Sequence, residues 1–232
     1  VQLVIDRVEF GQIFSLYILD YAEAKAEYKT LSVFLERKEA CGPREIFSGP
    51  GKNFSEAYLK KQNSDYMFWL SIPGTSVNYP VVRNGEPEYY LNHTFQGKEN
   101  PCGCLFVQEA IKDLYQENTV IFGHNMKDGS MFADLKNYRK ADFYSSHPTI
   151  QIYYKGRWEK CSIFSCQLRA DTDFRCYQTN FSGIEEKEKF ISEMLASSLY
   201  DIPFESHADR PVITLSTCFG TSKRMIVQAV LV

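Results

Sequence analysis

Two runs near the C-terminus leave this 232-residue chain few ways to fold. Residues 211–218, Pro-Val-Ile-Thr-Leu-Ser-Thr-Cys, are β-branched and apolar and end on a thiol. Residues 224–232 begin on Arg224 and are apolar again, and only Phe219 to Lys223 lie between the two runs. That gap suffices for one turn, so the pattern predicts adjacent strands that present Cys218 and Arg224 at one edge of a sheet. A third run, Thr119 to Phe122, is followed by Gly123 and His124 and reads as another strand ending on an imidazole.

A cysteine, a histidine and an arginine, each at the mouth of a strand, suit acyl transfer. A thiol is a strong nucleophile only as thiolate, and a nearby imidazole or cation favours that form. His124 would protonate a leaving amine and later deprotonate an incoming nucleophile. Arg224 would hydrogen-bond the oxyanion of a tetrahedral intermediate or hold the substrate backbone. Each residue also has a plainer reading: Cys218 as a small buried hydrophobe, His124 and Arg224 as solvated side chains.

The remainder reads as a β-rich domain after a helical start. Across residues 1–40, Val4, Val8, Phe14, Ile18, Tyr21, Tyr28, Leu31 and Phe34 recur mostly at helical steps, with a break at Gly11 and a stop at Cys41-Gly42-Pro43. A loop over 48–53 precedes a short helix capped by Asn53 or Ser55 and running to about Gln62. Strands are expected over 65–72, 76–82, 105–107 and 119–122, with Pro80 arguing for an edge or bulge and Asn84-Gly85 for a turn. Ser130 is expected to cap a short helix over 131–138. Residues 149–154 and 158–167 flank Lys155-Gly156-Arg157 as a hairpin, and Ser182 is expected to cap the clearest helix, Glu185 to Leu199. Many short strands with helices confined to the start and the connections point to a closed or nearly closed barrel. The expected division is a helical arm over 1–54 packed on a barrel domain over 55–232.

Composition removes several classes. With 26 basic against 29 acidic residues and no basic stripe, nucleic acid is not an expected partner. No apolar run is long enough to span a bilayer, and Asp6, Arg7 and Glu9 cut the opening apolar residues, which excludes a signal-peptide core. The chain opens without Met, which predicts an anchor trimmed from upstream. The seven cysteines form no CxxC pair, and Cys102-Gly103-Cys104 lacks a partner at zinc-ribbon spacing, so neither metal nor other cofactor is expected. An odd count leaves at least one thiol unpaired within a monomer; pairing among the other six stays open.

Thr214-Leu215-Ser216-Thr217-Cys218, followed by Lys223-Arg224 and an apolar strand, closely resembles the TLxTC…R signature of sortases. Residues 121–132, Ile-Phe-Gly-His-Asn-Met-Lys-Asp-Gly-Ser-Met-Phe, resemble the histidine segment of class B sortases. Similarity continues at 69–72, 78–82, 89–91, 171–174 and 179–181, so it runs from about residue 55 to the end. The resemblance implies a Gram-positive cysteine transpeptidase on the extracellular face of the membrane, held by an anchor. It implies an eight-stranded β-barrel with N-terminal helices and a long helix between the sixth and seventh strands. By motif, Cys218 is the nucleophile, His124 the general acid/base and Arg224 the oxyanion or substrate-positioning group. Asn78, Val82 and Ser216 match positions lining the sorting-signal groove, and Thr217 is expected beside them. The implied reaction cleaves a five-residue sorting signal of a surface protein or pilin at a Thr–Gly or Thr–Asn bond and passes the acyl group to an amine, on a peptidoglycan precursor or a pilin Lys. One departure stands out: class B members commonly carry several more residues between the Cys and the Arg, so one wall of the groove is expected to be open. Two other readings compete: a Cys–His peptidase that only hydrolyses, and a β-barrel binding module with a structural cysteine.

Overall fold

The computed structural model describes residues 19–33, 56–86, 88–205 and 207–232. Eight strands, β1 (Tyr66–Ser71), β2 (Asn78–Val82), β3 (Leu105–Val107), β4 (Asn118–Phe122), β5 (Thr149–Tyr154), β6 (Arg157–Ala170), β7 (Val212–Phe219) and β8 (Lys223–Leu231), close into a barrel. Their order is β1-β2-β3-β4-β7-β8-β6-β5, with β5 pairing back onto β1. Two pairings are parallel, β2 with β3 and β4 with β7; the others are antiparallel. The expected eight-stranded barrel is what forms.

Alternation along the strands explains the two cores. Ile213 and Leu215 of β7 and Met225, Val227 and Ala229 of β8 point into the barrel with Phe68, Leu70 and Ile121. Val212, Ile226 and Val230 point the other way and form a second cluster with Phe164 of β6. That outer cluster is covered by α4 (Ile184–Ala196), which lies between β6 and β7 and buries Lys187, Phe190, Ile191 and Met194 at helical spacing. The tight β5–β6 hairpin turns on Lys155 and Gly156, both at positive φ (48° and 84°), as a two-residue loop requires. Pro80 sits at Trp69 in the β1–β2 ladder, and its carbonyl lies 3.6 Å from the Cys104 thiol, just before β3 begins pairing at Val81. Its missing N–H therefore faces a place where no ladder bond is needed.

Two local expectations are corrected, both of them caps. The short helix expected over 131–138 forms as a 3₁₀ helix over Ala133–Arg139, with Phe132 at its cap position, followed by the short helix α3 (Ala141–Ser146). Ser130 does not cap it, because its hydroxyl donates to Asp128 Oδ1 at 2.6 Å instead. Ser182 does not cap α4 either; the cap position is Gly183, and the Ser182 N–H and hydroxyl both donate to Glu186 Oε2 at 2.6 Å. In both places the hydroxyl donates to a nearby carboxylate, a stronger bond than a neutral cap would give.

The helix α1 over residues 19–33 is docked on the barrel by specific bonds. Ala24, Tyr28 and Leu31 are buried, and Glu27 accepts from the Thr94 hydroxyl (3.0 Å) and the Gln96 N–H (2.9 Å). The Tyr28 hydroxyl donates to Gly103 O at 2.6 Å and accepts from Phe95 N–H at 3.2 Å. A second helix, α2 (Glu56–Gln62), leads into β1 and buries Leu59. The expectations for Val4, Val8, Gly11, Phe14, Ile18 and Phe34, the stop at Cys41, the 48–53 loop, the Asn53 or Ser55 cap and the division at residue 54 lie outside the described residues. No helix among the described residues is long and apolar enough to cross a membrane.

Tyr28→Phe removes both hydroxyl bonds and leaves a buried carbonyl and N–H without partners. We expect a loss of about 2 kcal/mol, read as a lowered urea midpoint with unchanged m-value.

Candidate active site

Strand register builds the site. In the parallel β4–β7 pair, Phe122 lies opposite Ser216, and the ladder continues with Gly123 N–H donating to Ser216 O at 3.3 Å. The Thr217 hydroxyl donates to Gly123 O at 2.7 Å, and Asn125 Nδ2 donates to Cys218 O at 3.0 Å. His124 and Cys218 therefore follow at the ends of neighbouring strands, each two residues past the last paired positions of that ladder. On the far side of β7, the antiparallel ladder sets Cys218 directly opposite Arg224.

Cys218 and Arg224 belong to one face, and His124, two residues past the end of β4, keeps the same parity. Residues 118, 120, 122 and 124 alternate with inward positions, as do 212, 214, 216 and 218, and 224, 226, 228 and 230. The inward partner of His124 is Gly123, and it has to be glycine. A Cβ there would sit 2.3 Å from Leu105 Cδ2 and 2.8 Å from Phe132 Cδ2. The absent side chain lets β4 close onto the core while its next residue turns out to the rim.

The histidine is oriented by backbone. His124 Nε2 lies 2.8 Å from Leu91 O, on a 3₁₀ turn over Tyr89–Leu91. A carbonyl only accepts, so Nε2 carries the proton of that bond and Nδ1 is the nitrogen left for exchange. Asn125, next in sequence, ties the same loop to the carbonyl of Cys218, so the imidazole and the thiol share one rigid support.

Cys218 differs from the other described cysteines in being exposed. All six are free thiols, and Cys102, Cys104, Cys161, Cys166 and Cys176 are buried. Burial pushes the thiols of Cys102, Cys104, Cys161 and Cys166 up to about 12 and that of Cys176 up to about 11, so none ionises near neutrality.

The other expected site residues fall in three places. Ser216 is buried and exchanges a hydrogen bond with the Tyr177 hydroxyl at 2.7 Å; Thr217 is buried and directs its hydroxyl to Gly123. Val82 is wholly buried in the barrel core, opposite Tyr66 and Phe106. Asn78 accepts from Trp69 Nε1 at 2.6 Å and lines a cavity of about 300 Å³ between α1 and the loop over 128–131. Sequence reasoning missed Tyr177, whose ring packs on Phe122 (centroids 5.5 Å apart) and whose segment walls an open groove of about 790 Å³ against α4. Burial raises the Tyr177 phenol, so it stays a hydrogen-bond donor. No periodicity marks the segment over 171–178, and nothing in its composition singles out the tyrosine.

A family model described as the sortase domain matches residues 70–232. The chain is 35% identical over 181 residues to sortase B of Listeria monocytogenes, covering 75% of this chain and 72% of that one. The fold matches a Staphylococcus aureus sortase B–substrate complex with a TM-score of 0.80 at 25% identity, over 92% of this chain and 98% of that one. A sortase B complexed with triglycine matches with a TM-score of 0.79 at 25% identity, over 91% and 98%. The chain belongs to the sortase family, class B. As a sortase it is a cysteine transpeptidase, and the hydrolytic and binding-module readings are not favoured. The β7–β8 hairpin of this sortase is short in space as well as in sequence: Phe219 pairs with Lys223, leaving Gly220, Thr221 and Ser222 as the loop.

Two outcomes follow for the sortase. Iodoacetamide at neutral pH should label Cys218 of the native protein while the five buried thiols react only after denaturation, as peptide mass mapping would read. Gly123→Ala should cost about 1–3 kcal/mol by overpacking and lower activity by displacing His124, in a thermal melt and a turnover assay on one preparation.

Proposed function

We propose that Cys218, His124 and Arg224 carry the transpeptidation, with Cys218 as nucleophile. The observation that supports this most is that β4, β7 and β8 bring the three to neighbouring strand ends, where the exposed thiol among the described cysteines lies. In the first half-reaction the Cys218 thiolate attacks the carbonyl carbon of the signal's Thr. The carbonyl π electrons move to oxygen, and the Arg224 guanidinium donates hydrogen bonds to that oxyanion. Collapse expels the amine of the following residue, which takes a proton from His124 Nδ1 and leaves a thioester. In the second half-reaction an incoming amine loses a proton to the same nitrogen, attacks the thioester carbonyl and releases the Cys218 thiolate.

Ser216 and Thr217 support this site by holding the strand rather than by free hydroxyls, since both hydroxyls are already bonded. Asn78 and Val82 are proposed to serve the signal groove through the β2 backbone and its packing. The substrates are a sorting-signal-bearing surface protein and an amine acceptor. The relatives come from Gram-positive bacteria, which supports placement at the outer face of a Gram-positive cell membrane through an anchor.

The test is mass spectrometry of the protein mixed with a panel of sorting-signal peptides. We expect an acyl adduct on Cys218 that an added amine releases as a new amide, and none in Cys218→Ala. Arg224→Ala should slow adduct formation by about 10²–10³-fold. Adducts released only as free acid, or an adduct that persists in Cys218→Ala, would overturn the reading.

A further inference from the structure

A fourth residue stands beside Arg224. Strand β8 pairs on its other edge with β6, and the ladder sets Arg224 opposite Arg169. Cys218, Arg224 and Arg169 thus stand level on β7, β8 and β6, and His124 follows the end of β4, the neighbour of β7 on its other side. Two guanidinium groups directly opposite each other repel, and such a pairing persists only where one charge is answered elsewhere. Arg169 is that one. Its side chain is 6% exposed, its Nη1 donates to Asp173 Oδ2 at 2.6 Å, its Nε donates to Gln167 Oε1, and its Nη2 lies 3.5 Å from Met194 Sδ. Arg224 forms no ion pair among the described residues.

We propose that Arg169 is a positioning residue for Arg224. Its fixed, buried charge closes the β6 side of Arg224 by repulsion, so the Arg224 guanidinium extends toward Cys218 and the substrate carbonyl. Arg169 also withholds a competitor. Asp173 is saturated by Arg169 and by Arg175, whose Nη2 reaches Oδ2 at 2.7 Å and whose N–H and Nε reach Oδ1 at 3.2 and 3.0 Å. A carboxylate so occupied has no lone pair to draw Arg224 out of the row.

Arg169 in turn heads a buried chain of donors that all run one way. Gln167 Nε2 donates to Gln228 Oε1 (2.9 Å), Gln228 Nε2 to Thr214 Oγ1 (3.1 Å), and Thr214 Oγ1 to Asn118 Oδ1 (2.9 Å). Asn118 Nδ2 ends the chain on the carbonyls of Cys176 (3.3 Å) and Gln178 (2.9 Å), the residues on either side of Tyr177. The seam crosses β6, β8, β7 and β4, and fixes both the neighbour of Arg224 and the segment that reaches Ser216. Each bond polarises the next in a dry setting, which holds the head of the chain in one rotamer.

The proposal rests on the role given to Arg224 above, and the test separates the two. Single-turnover acylation of Cys218 by a signal peptide is followed by mass spectrometry in the parent, R169M, R169K, R224A and R169M/R224A. R169M should slow acylation about tenfold, with the half-saturating peptide concentration changed by less than about twofold. R169K, which keeps the charge, should recover most of the rate, and R169M should have no further effect in the R224A background. Equal slowing by R169M in both backgrounds, or none in the parent, overturns the proposal. An undiminished rate in R224A overturns instead the role of Arg224. If R169M is not folded by circular dichroism, D173N replaces it, with slowing expected in the parent alone and equal slowing in both backgrounds overturning the proposal.

Discussion

The parallel register between β4 and β7 is the constraint on which the rest depends. Because side chains alternate, a slip of one residue would turn His124 into the barrel, away from Cys218. Three bonds oppose that slip at the strand ends: Gly123 N–H to Ser216 O, the Thr217 hydroxyl to Gly123 O, and Asn125 Nδ2 to Cys218 O. Each net bond is worth about 1 kcal/mol, but a slip would break all three and also drive a side chain into the place Gly123 leaves empty. The motif around His124 is thus a packing device as much as a chemical one.

The outer face of β7 and β8 shows why α4 is needed. That face mixes apolar residues (Val212, Ile226, Val230) with fully buried polar ones (Thr214, Ser216, Gln228), a combination costly to cover unless every donor is used. The helix supplies the apolar half and bonds to neighbouring β6, while Thr214, Ser216 and Gln228 bond to Asn118, Tyr177 and Gln167. Phe190, Ile191 and Met194 meet the apolar residues, and the Met194 carbonyl accepts from Ser165 Oγ at 2.6 Å and Gln167 Nε2 at 3.0 Å. The cover ends before Cys218, whose exposure follows from its place at the rim.

Legibility in the sequence divides along physical lines. Strands were readable because β-branched runs bounded by turn residues have few other uses, and Cys218 and Arg224 were readable as neighbours because five residues allow only a hairpin. His124 was readable by motif and by its place after an apolar run. The caps at Ser130 and Ser182 were misread because Asp128 and Glu186 compete for the same hydroxyls, an outcome set by geometry two to four residues away. The polar seam was not readable at all. Asn118, Gln167, Arg169 and Gln228 look like solvent-facing members of alternating strands, and only the position of α4 makes that face an interior. Tyr177 lies on a segment whose conformation comes from its tertiary contacts.

The short β7–β8 hairpin decides how the cation is delivered. With Phe219 paired to Lys223, only Gly220 to Ser222 are left to turn, and Gly220 takes the left-handed conformation (φ 67°) that makes so tight a return possible. Arg224 is then set opposite Cys218 by backbone alone, without an ion pair among the described residues to draw it there. On the role proposed for Arg224, a guanidinium without an ion pair among the described residues has its donors available to the substrate, and its direction has to be set from outside. The charged residue in register beside it is Arg169, and that residue is immobilised by Asp173 and Gln167. On the proposal for Arg169, backbone register supplies the distance and a buried like charge supplies the direction.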